Sequence, residues 1–389
     1  MRFPEFTGEW APYKLKYVIR LQGGYAFQSE KFQYSGIPII RISNLPQSSN
    51  MVDLSDCVYY EDGEYDNYIV KNGDLLIAMS GATTGKTAIY RNNIKAYLNQ
   101  RVGLFRIKSQ KLFYPFLYSF IESKIFIGQL NAKLVAGAQP NISSKDIEEI
   151  RLFLPTTLEQ QRIANLFTLI DERIATQIKI IDKLQSLMSG IKAKLLSPTF
   201  LEESIKLSEL GKLKNGYAFK SSTYVPNGQY NIITIANVSG ERFITGECNQ
   251  IDDLPDDIHK HQILSDDDIL ISLTGNVGRV SLNRGTNNLL NQRVGLFQLY
   301  SNELQEFVYQ SISAQTFETS MRLKAQGAAQ MNIGKNDIED YEIPYTTNKL
   351  LLKKISNILQ YIEERIILAK VLNAQYKYQK LYLLQQMFI

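Results

Sequence analysis

Two long stretches of this chain place their apolar residues at alternating gaps of three and four. In the run from Leu158 to Leu196 they fall at Ile163, Phe167, Ile170, Ile174, Ile178, Ile181, Leu184, Met188, Ile191 and Leu195. That is a heptad seam, and it predicts one long helix needing a partner helix along its length. From Ile355 onward a similar seam runs through Leu359, Ile362, Ile366, Ala369, Leu372, Tyr376, Leu383 and Met387. Ile163-Ala164-Asn165 matches Ile355-Ser356-Asn357, and Asp171-Glu172-Arg173-Ile174 matches Glu363-Glu364-Arg365-Ile366, each displaced by 192 residues. The chain is therefore two copies of one unit, and the seams predict that its two long helices pair with each other.

Outside the seams the pattern is one of short apolar runs ended by turn residues. β-branched runs at 37–45 and 230–238 read as strands entering loops, and 74–90 and 268–283 read as strand, Gly turn and returning strand. The heptapeptide Asn-Gln-Arg-Val-Gly-Leu-Phe stands at 99–105 and again, unchanged, at 291–297. Helical segments follow at 114–130 and 303–317, with Pro115 suited to a first turn. Ser143 and Asp146 have the spacing of a capping box, and a strand follows, ending at Pro155 or Pro344. The expected fold class is α+β: two β-rich domains, each followed by a long helix, the helices forming an antiparallel coiled coil with pseudo-two-fold symmetry. The expected segments are 1–156, 157–197, 198–346 and 347–389. Ser197 to Ser204 makes the hinge, because Pro198 ends the first long helix.

Composition narrows the chemistry. Lys plus Arg is 43 against 39 acidic residues, a net charge of +4, which permits a polyanion partner without demanding one. Cys57 and Cys248, one per copy, and two His exclude a disulfide framework and disfavour Cys/His metal sites. With no run of about 18 apolar residues and no apolar leader, a soluble protein of a reducing compartment is expected. The segment Gly81-Ala82-Thr83-Thr84-Gly85-Lys86-Thr87 imitates a nucleotide-phosphate loop but has three residues between its glycines where four are needed. Its counterpart Gly275-Asn276-Val277-Gly278-Arg279-Val280 lacks the metal-holding hydroxyl, so a β-turn is the expectation. Glu122-Ser123-Lys124 has the spacing of a nuclease fragment but reads as an exposed charge pair, and His259 and His261 read as solvated loop residues. The chain carries no recognisable catalytic set.

At this point the residues resemble a family. The opening Phe3-Pro4-Glu5-Phe6-Thr7-Gly8-Glu9-Trp10, the closing stretch from Gln139-Pro140-Asn141 to Pro155, the helix start Leu158-Glu159-Gln160-Gln161-Arg162-Ile163-Ala164 and the repetition of the whole cycle are similar to the specificity subunits of type I restriction–modification enzymes. The second copy departs from the pattern at Leu350-Leu351-Leu352-Lys353-Lys354. The resemblance implies that each β-rich domain is a target-recognition domain reading one half of a split, asymmetric double-stranded DNA site. It implies that the helices space the domains and carry two methyltransferase subunits, with nuclease/translocase restriction subunits completing the complex. S-adenosylmethionine, ATP and Mg²⁺ would then be bound by those partners and no cofactor by this chain, in a bacterial or archaeal cytoplasm. A helix of about 39 residues spans roughly 58 Å, an upper limit near 17 base pairs at about 3.4 Å each. A stand-alone DNA-binding protein without enzyme partners is the alternative from another class.

Residues alike in both copies cannot distinguish two different half-sites. Lys86, Asn99, Gln100, Arg101, Gln139 and Asn141, with their counterparts Arg279, Asn291, Gln292, Arg293, Gln330 and Asn332, are expected as framework or phosphate contacts. Base readers are expected where the copies diverge: Arg41, Asn44, Gln47, Lys124 and Lys133 in the first, and Lys220, Asn237, Arg242, Arg322 and Lys324 in the second. Tyr25, Phe27, Tyr217 and Phe219 are expected to pack in cores or turns rather than to stack on bases.

Overall fold

A computed structural model describes residues 2–46, 50–135, 141–326 and 332–388; Gln47, Gln139 and Gln330 lie outside them. The heptad seams are helical over Thr157–Leu195 and Lys349–Met387. The second helix starts before its seam because Leu350-Leu351-Leu352-Lys353-Lys354 are good helix formers and Leu352 is buried. The first stops short of Pro198, whose ring cannot continue it. Among the described residues no helix is long and apolar enough to cross a membrane.

Residues up to 176 together with those from 373 form one compact unit, and residues 177–372 form another. Each unit contains one end of each long helix. In the first, Phe167 and Ile170 share a core with Leu384, Met387 and Phe388. The Phe167 and Phe388 rings lie 6.4 Å apart, Lys380 donates to Asp171 at 2.6 Å, and Arg173 sits 5.9 Å from the Tyr376 ring centre. Numbers climb on one helix as they fall on the other, so the segments run antiparallel. In the second unit Gln177 donates to the Ala369 carbonyl at 3.3 Å, and Met188 joins Leu352, Ile355, Leu359, Ile362 and Ile366 in one core. Burying each such side chain contributes about 1.5–3 kcal/mol.

The β-rich part of the first unit has an antiparallel sheet in the order Ile19–Gly23, Val102–Ile107, Leu75–Ala78, Thr87–Ile89. A second sheet runs Val58–Tyr60, Ile37–Ile40, Ala96–Leu98, Ile69–Val70, with its two middle strands parallel. Leu75–Ala78 is buried on both faces, because Leu75 and Ile77 meet the helical core while Leu76 and Ala78 meet the second sheet. That explains its unbroken apolar run. The second unit repeats the plan: Gly211–Asn215, Val294–Leu299, Ile269–Ser272, Val280–Leu282, and beside it Asn249–Ile251, Tyr230–Ile233, Asn288–Leu290. Ala11–Lys14 with Arg151–Leu154, and Glu203–Lys206 with Glu342–Tyr345, form antiparallel pairs leading into the long helices. Pro115 lies in the first turn of Tyr114–Ile121. Ser143 accepts from the Asp146 amide, and its own amide donates to the Asp146 carboxylate at 3.0 Å, which fixes the start of the short helix Ser144–Glu148.

An ionic joint, buried in the second unit and half-buried in the first, ties each β-rich domain to its helix segments. In the second unit Arg242, 6% exposed, donates to Glu306 at 2.7 and 2.9 Å and to Glu363 at 2.7 Å, and lies 5.1 Å from the Tyr309 ring centre. Burial pulls the Arg242 guanidinium down, but the two carboxylates more than offset it and leave its pKa raised. In the first unit Lys380 bridges Glu122 and Asp171, both at 2.6 Å, and Asn50 donates to Glu122 at 3.1 Å. Arg242 is therefore the pin of this joint and not a DNA-facing residue. Glu122, expected as half of an exposed pair with Lys124, has the same kind of work in the first unit.

Candidate nucleic-acid interface

One end of each main sheet gathers the segments that the sequence repeats. In the first unit the Tyr25 amide donates to Leu98 O at 2.8 Å, Gln100 N to Tyr25 O at 2.9 Å and Asn99 N to Ile40 O at 3.1 Å. Met79 N donates to Arg101 O at 2.9 Å, and Ile142 N returns to Met79 O at 2.9 Å. The second unit repeats this bond for bond: Tyr217 N to Leu290 O, Gln292 N to Tyr217 O, Asn291 N to Ile233 O, Leu273 N to Arg293 O and Ile333 N to Leu273 O, all between 2.8 and 3.1 Å. The backbones approach so closely that a Cβ on Gly24 or Gly216 would collide with the Asn99 or Asn291 carbonyl, which explains the glycine before each tyrosine. Gly81 and Gly85, and Gly275 and Gly278, turn with positive φ, as a tight loop between strands requires.

The cluster leaves polar groups outward. Gln100, Arg101, Asn141, Gln292, Arg293 and Asn332 are exposed, and among the described residues no ion pair holds Arg101 or Arg293. Asn99 is half-buried, and Asn291 is buried with its Oδ1 accepting from the Arg293 amide at 3.3 Å, so the Asn291 amide braces its turn. Ser80 and Thr274, at matching places beside it, have buried hydroxyl oxygens with no hydrogen-bond partner among the described residues. Among the described residues no group of three or more His, Cys, Asp or Glu is placed to hold a metal. Burial pushes the Cys57 thiol up to about 11 and raises Cys248 as well, consistent with packing rather than reactivity.

The pattern described as "Type I restriction modification DNA specificity domain" matches residues 7–186 and again 202–377. The chain belongs to this family. It is similar to the type I restriction enzyme MjaVIII specificity subunit of Methanocaldococcus jannaschii, 28% identical over 199 residues, which cover 50% of this chain and 47% of that protein. It is also similar to the putative type I restriction enzyme MjaX specificity subunit of the same organism, 26% identical over 392 residues, 92% of this chain and 89% of the other. A crystal structure of the type I restriction–modification S subunit from M. genitalium shares the fold, with a TM-score of 0.66 at 16% identity over 100% of this chain and 97% of that one. Specificity subunits recognise DNA and are the non-catalytic members of their systems.

Within this specificity subunit the other expected contact residues are dispersed. Lys86 and Arg279 are half-buried, just beyond the Gly turns. Arg279 lies 3.7 Å from Glu318, which also takes Arg322 at 2.6 Å. Lys133 stands 4.0 Å from Asp146, Lys324 donates to the Asp337 carbonyl at 2.9 Å, and Lys124 and Lys220 are exposed. The structure gives Asn44 and Asn237 a different job from the one expected. Both are 2% exposed and brace the loop that leaves the second sheet. The divergent polar residues of that loop pointed to DNA contact, but the carbonyls that absorb the two amides lie about ten residues downstream, where no local pattern reveals them. Phe27 packs in an aromatic cluster with Tyr60, Tyr65 and Tyr97.

Proposed function

We propose that this chain is the DNA-recognition subunit of a type I restriction–modification complex, its two β-rich domains each reading one half of a bipartite, asymmetric site. The duplicated loop cluster carries this reading. It offers one identical set of exposed donors per domain, Gln100 with Arg101 and Gln292 with Arg293, suited to phosphates that have no sequence. Lys86, Asn141, Arg279 and Asn332 extend the same platform. Arg41, Lys133, Lys220, Arg322 and Lys324 lie where the copies differ and supply candidates for base contact. The Arg322 side of its pair with Glu318 is exposed, and such surface pairs contribute little, so turning Arg322 from the carboxylate to DNA costs little.

The long helices are the spacer and the scaffold. Their outer faces expose Leu169, Leu187, Tyr361, Leu368 and Tyr378. Apolar groups of that size on a solvent face are what a partner subunit covers. Two modification subunits would dock there and place N6-methyl groups on an adenine of each half-site, using S-adenosylmethionine of their own. Restriction subunits would bring ATP, Mg²⁺ and cleavage. The test is to co-express the chain with an adenine methyltransferase subunit and map N6-methyladenine across the host genome. A stoichiometric complex and one motif of two unlike half-sites with a fixed gap are expected. Sequence-specific binding by the chain alone, with no partner retained and no methylation, would favour a stand-alone DNA-binding protein.

A further inference from the structure

The copies share a braced turn whose side chains differ at three positions, two of them outside the core and the third, Leu45 against Val238, buried in both. Ile39-Ile40-Arg41-Ile42-Ser43-Asn44-Leu45 corresponds to Ile232-Ile233-Thr234-Ile235-Ala236-Asn237-Val238. In the first copy Asn44 N donates to Arg41 O at 2.9 Å, and Arg41 N donates to the Asn44 Oδ1 at 2.9 Å. In the second, Asn237 N donates to Thr234 O at 3.0 Å, and Thr234 N donates to the Asn237 Oδ1 at 2.9 Å. Each amide nitrogen then reaches across the loop, Asn44 to Asp53 O at 3.0 Å and Asn237 to Thr245 O at 3.1 Å. The carbonyl anchors settle which end of each amide is which.

This turn adjoins the exposed Gln-Arg cluster. Ile40 O and Ile233 O accept the Asn99 and Asn291 amides directly before it. The Ile42 and Ile235 side chains lie against Gly81 and Gly275. Ser43 and Ala236 are exposed, and Arg41 and Thr234 half-buried. The Arg41 Nε is buried with no hydrogen-bond partner among the described residues, and its Nη2 has a long 3.4 Å contact to Asp56 O. Its fork is held in place but incompletely bonded. Thr234 differs in kind: its hydroxyl donates to the Asn237 Oδ1 at 3.0 Å within the turn, so that, beside the exposed Ala236, this copy offers methyl groups where the first offers a guanidinium.

We infer that this asparagine-braced turn is the interchangeable reading element of the chain, with positions 41/234 and 43/236 choosing one base in each half-site. The inference rests on the DNA-reading function proposed above. Arg41 fits a guanine, whose O6 and N7 accept a bidentate guanidinium, and the methyls of Thr234 and Ala236 fit the C5-methyl of a thymine.

The test exchanges the two pairs in the complex with the methyltransferase subunit and maps N6-methyladenine. Arg41→Thr with Ser43→Ala should reduce a guanine preference in one half-site about tenfold and leave the other half-site and the gap unchanged. Thr234→Arg with Ala236→Ser should alter only the other half-site, which keeps the idea testable if the first pair fails to fold by melting analysis. Motifs identical to wild type in both folded variants overturn the inference and leave the function standing. Uniform weakening at all sequences with a flatter salt dependence also overturns it, making Arg41 a phosphate contact. A wild-type complex with no methylated bipartite motif overturns the function and this inference together.

Discussion

In the first unit the carboxylates of Glu122 and Asp171 converge on Lys380, an ammonium from the C-terminal helix. In the second, Glu306 and Glu363 converge on Arg242, a guanidinium from the β-rich domain, while Lys192 of the central helix donates to Ser313 at 3.0 Å. Asp171 and Glu363 are the same position of the repeat. The duplication has kept a carboxylate on the helix facing the domain and changed which element supplies the cation. The loop clusters show the opposite behaviour, with backbone bonds and Gln-Arg pairs unchanged. A joint needs only balanced charge, so its residues drift; a surface meeting the same phosphate backbone twice does not.

The sharpest way to break the comparison is Arg242→Ala, which leaves two largely buried carboxylates uncompensated. A loss of about 3–5 kcal/mol is expected, read as lowered hydrogen-exchange protection in residues 177–372. Next come Asn44→Ala and Asn237→Ala, each orphaning backbone groups at about 1–3 kcal/mol. The two costs should agree in denaturant titrations if the braces are equivalent. Lys380→Ala should cost less than Arg242→Ala, about 1–2 kcal/mol, because Asp171 is 40% exposed and water screens what remains.

The smallest effect is a difference of sign. Burial lowers the Lys192 pKa below 10.5, with Glu363 and Glu306 only partly offsetting it. The unfolded chain therefore binds more protons in the window below 10.5, and this group's contribution to stability rises with pH there. For Lys380 burial also pulls down, but Glu122 and Asp171 outweigh it and the pKa is raised above 10.5. Its contribution is complete below 10.5 and is lost as pH rises through the higher value. Lys192→Met should thus be neutral or stabilising in a thermal melt and should remove the rise.

The long helices were legible because the heptad spacing repeats over many turns, and the strands because Leu75–Ala78 and the run 269–271 are unbroken apolar runs. The Ser143 cap needed only a three-residue spacing. The joints were not legible: Arg242 meets Glu363 from 121 residues away and Lys380 meets Asp171 from 209, beyond any local pattern. Asn44 and Asn237 looked like reading groups because they lie in stretches where the two copies diverge. Only the fold shows the carbonyls that bury them. The Gln-Arg pairs were legible as a repeat, but their grouping with the Gly turns depends on strand order.

The most direct measurement of the central claim lengthens both long helices by seven residues at matching positions and maps N6-methyladenine in cells carrying the assembled complex. The account predicts unchanged half-sites separated by a longer gap. Altered half-sites with the original gap would contradict it.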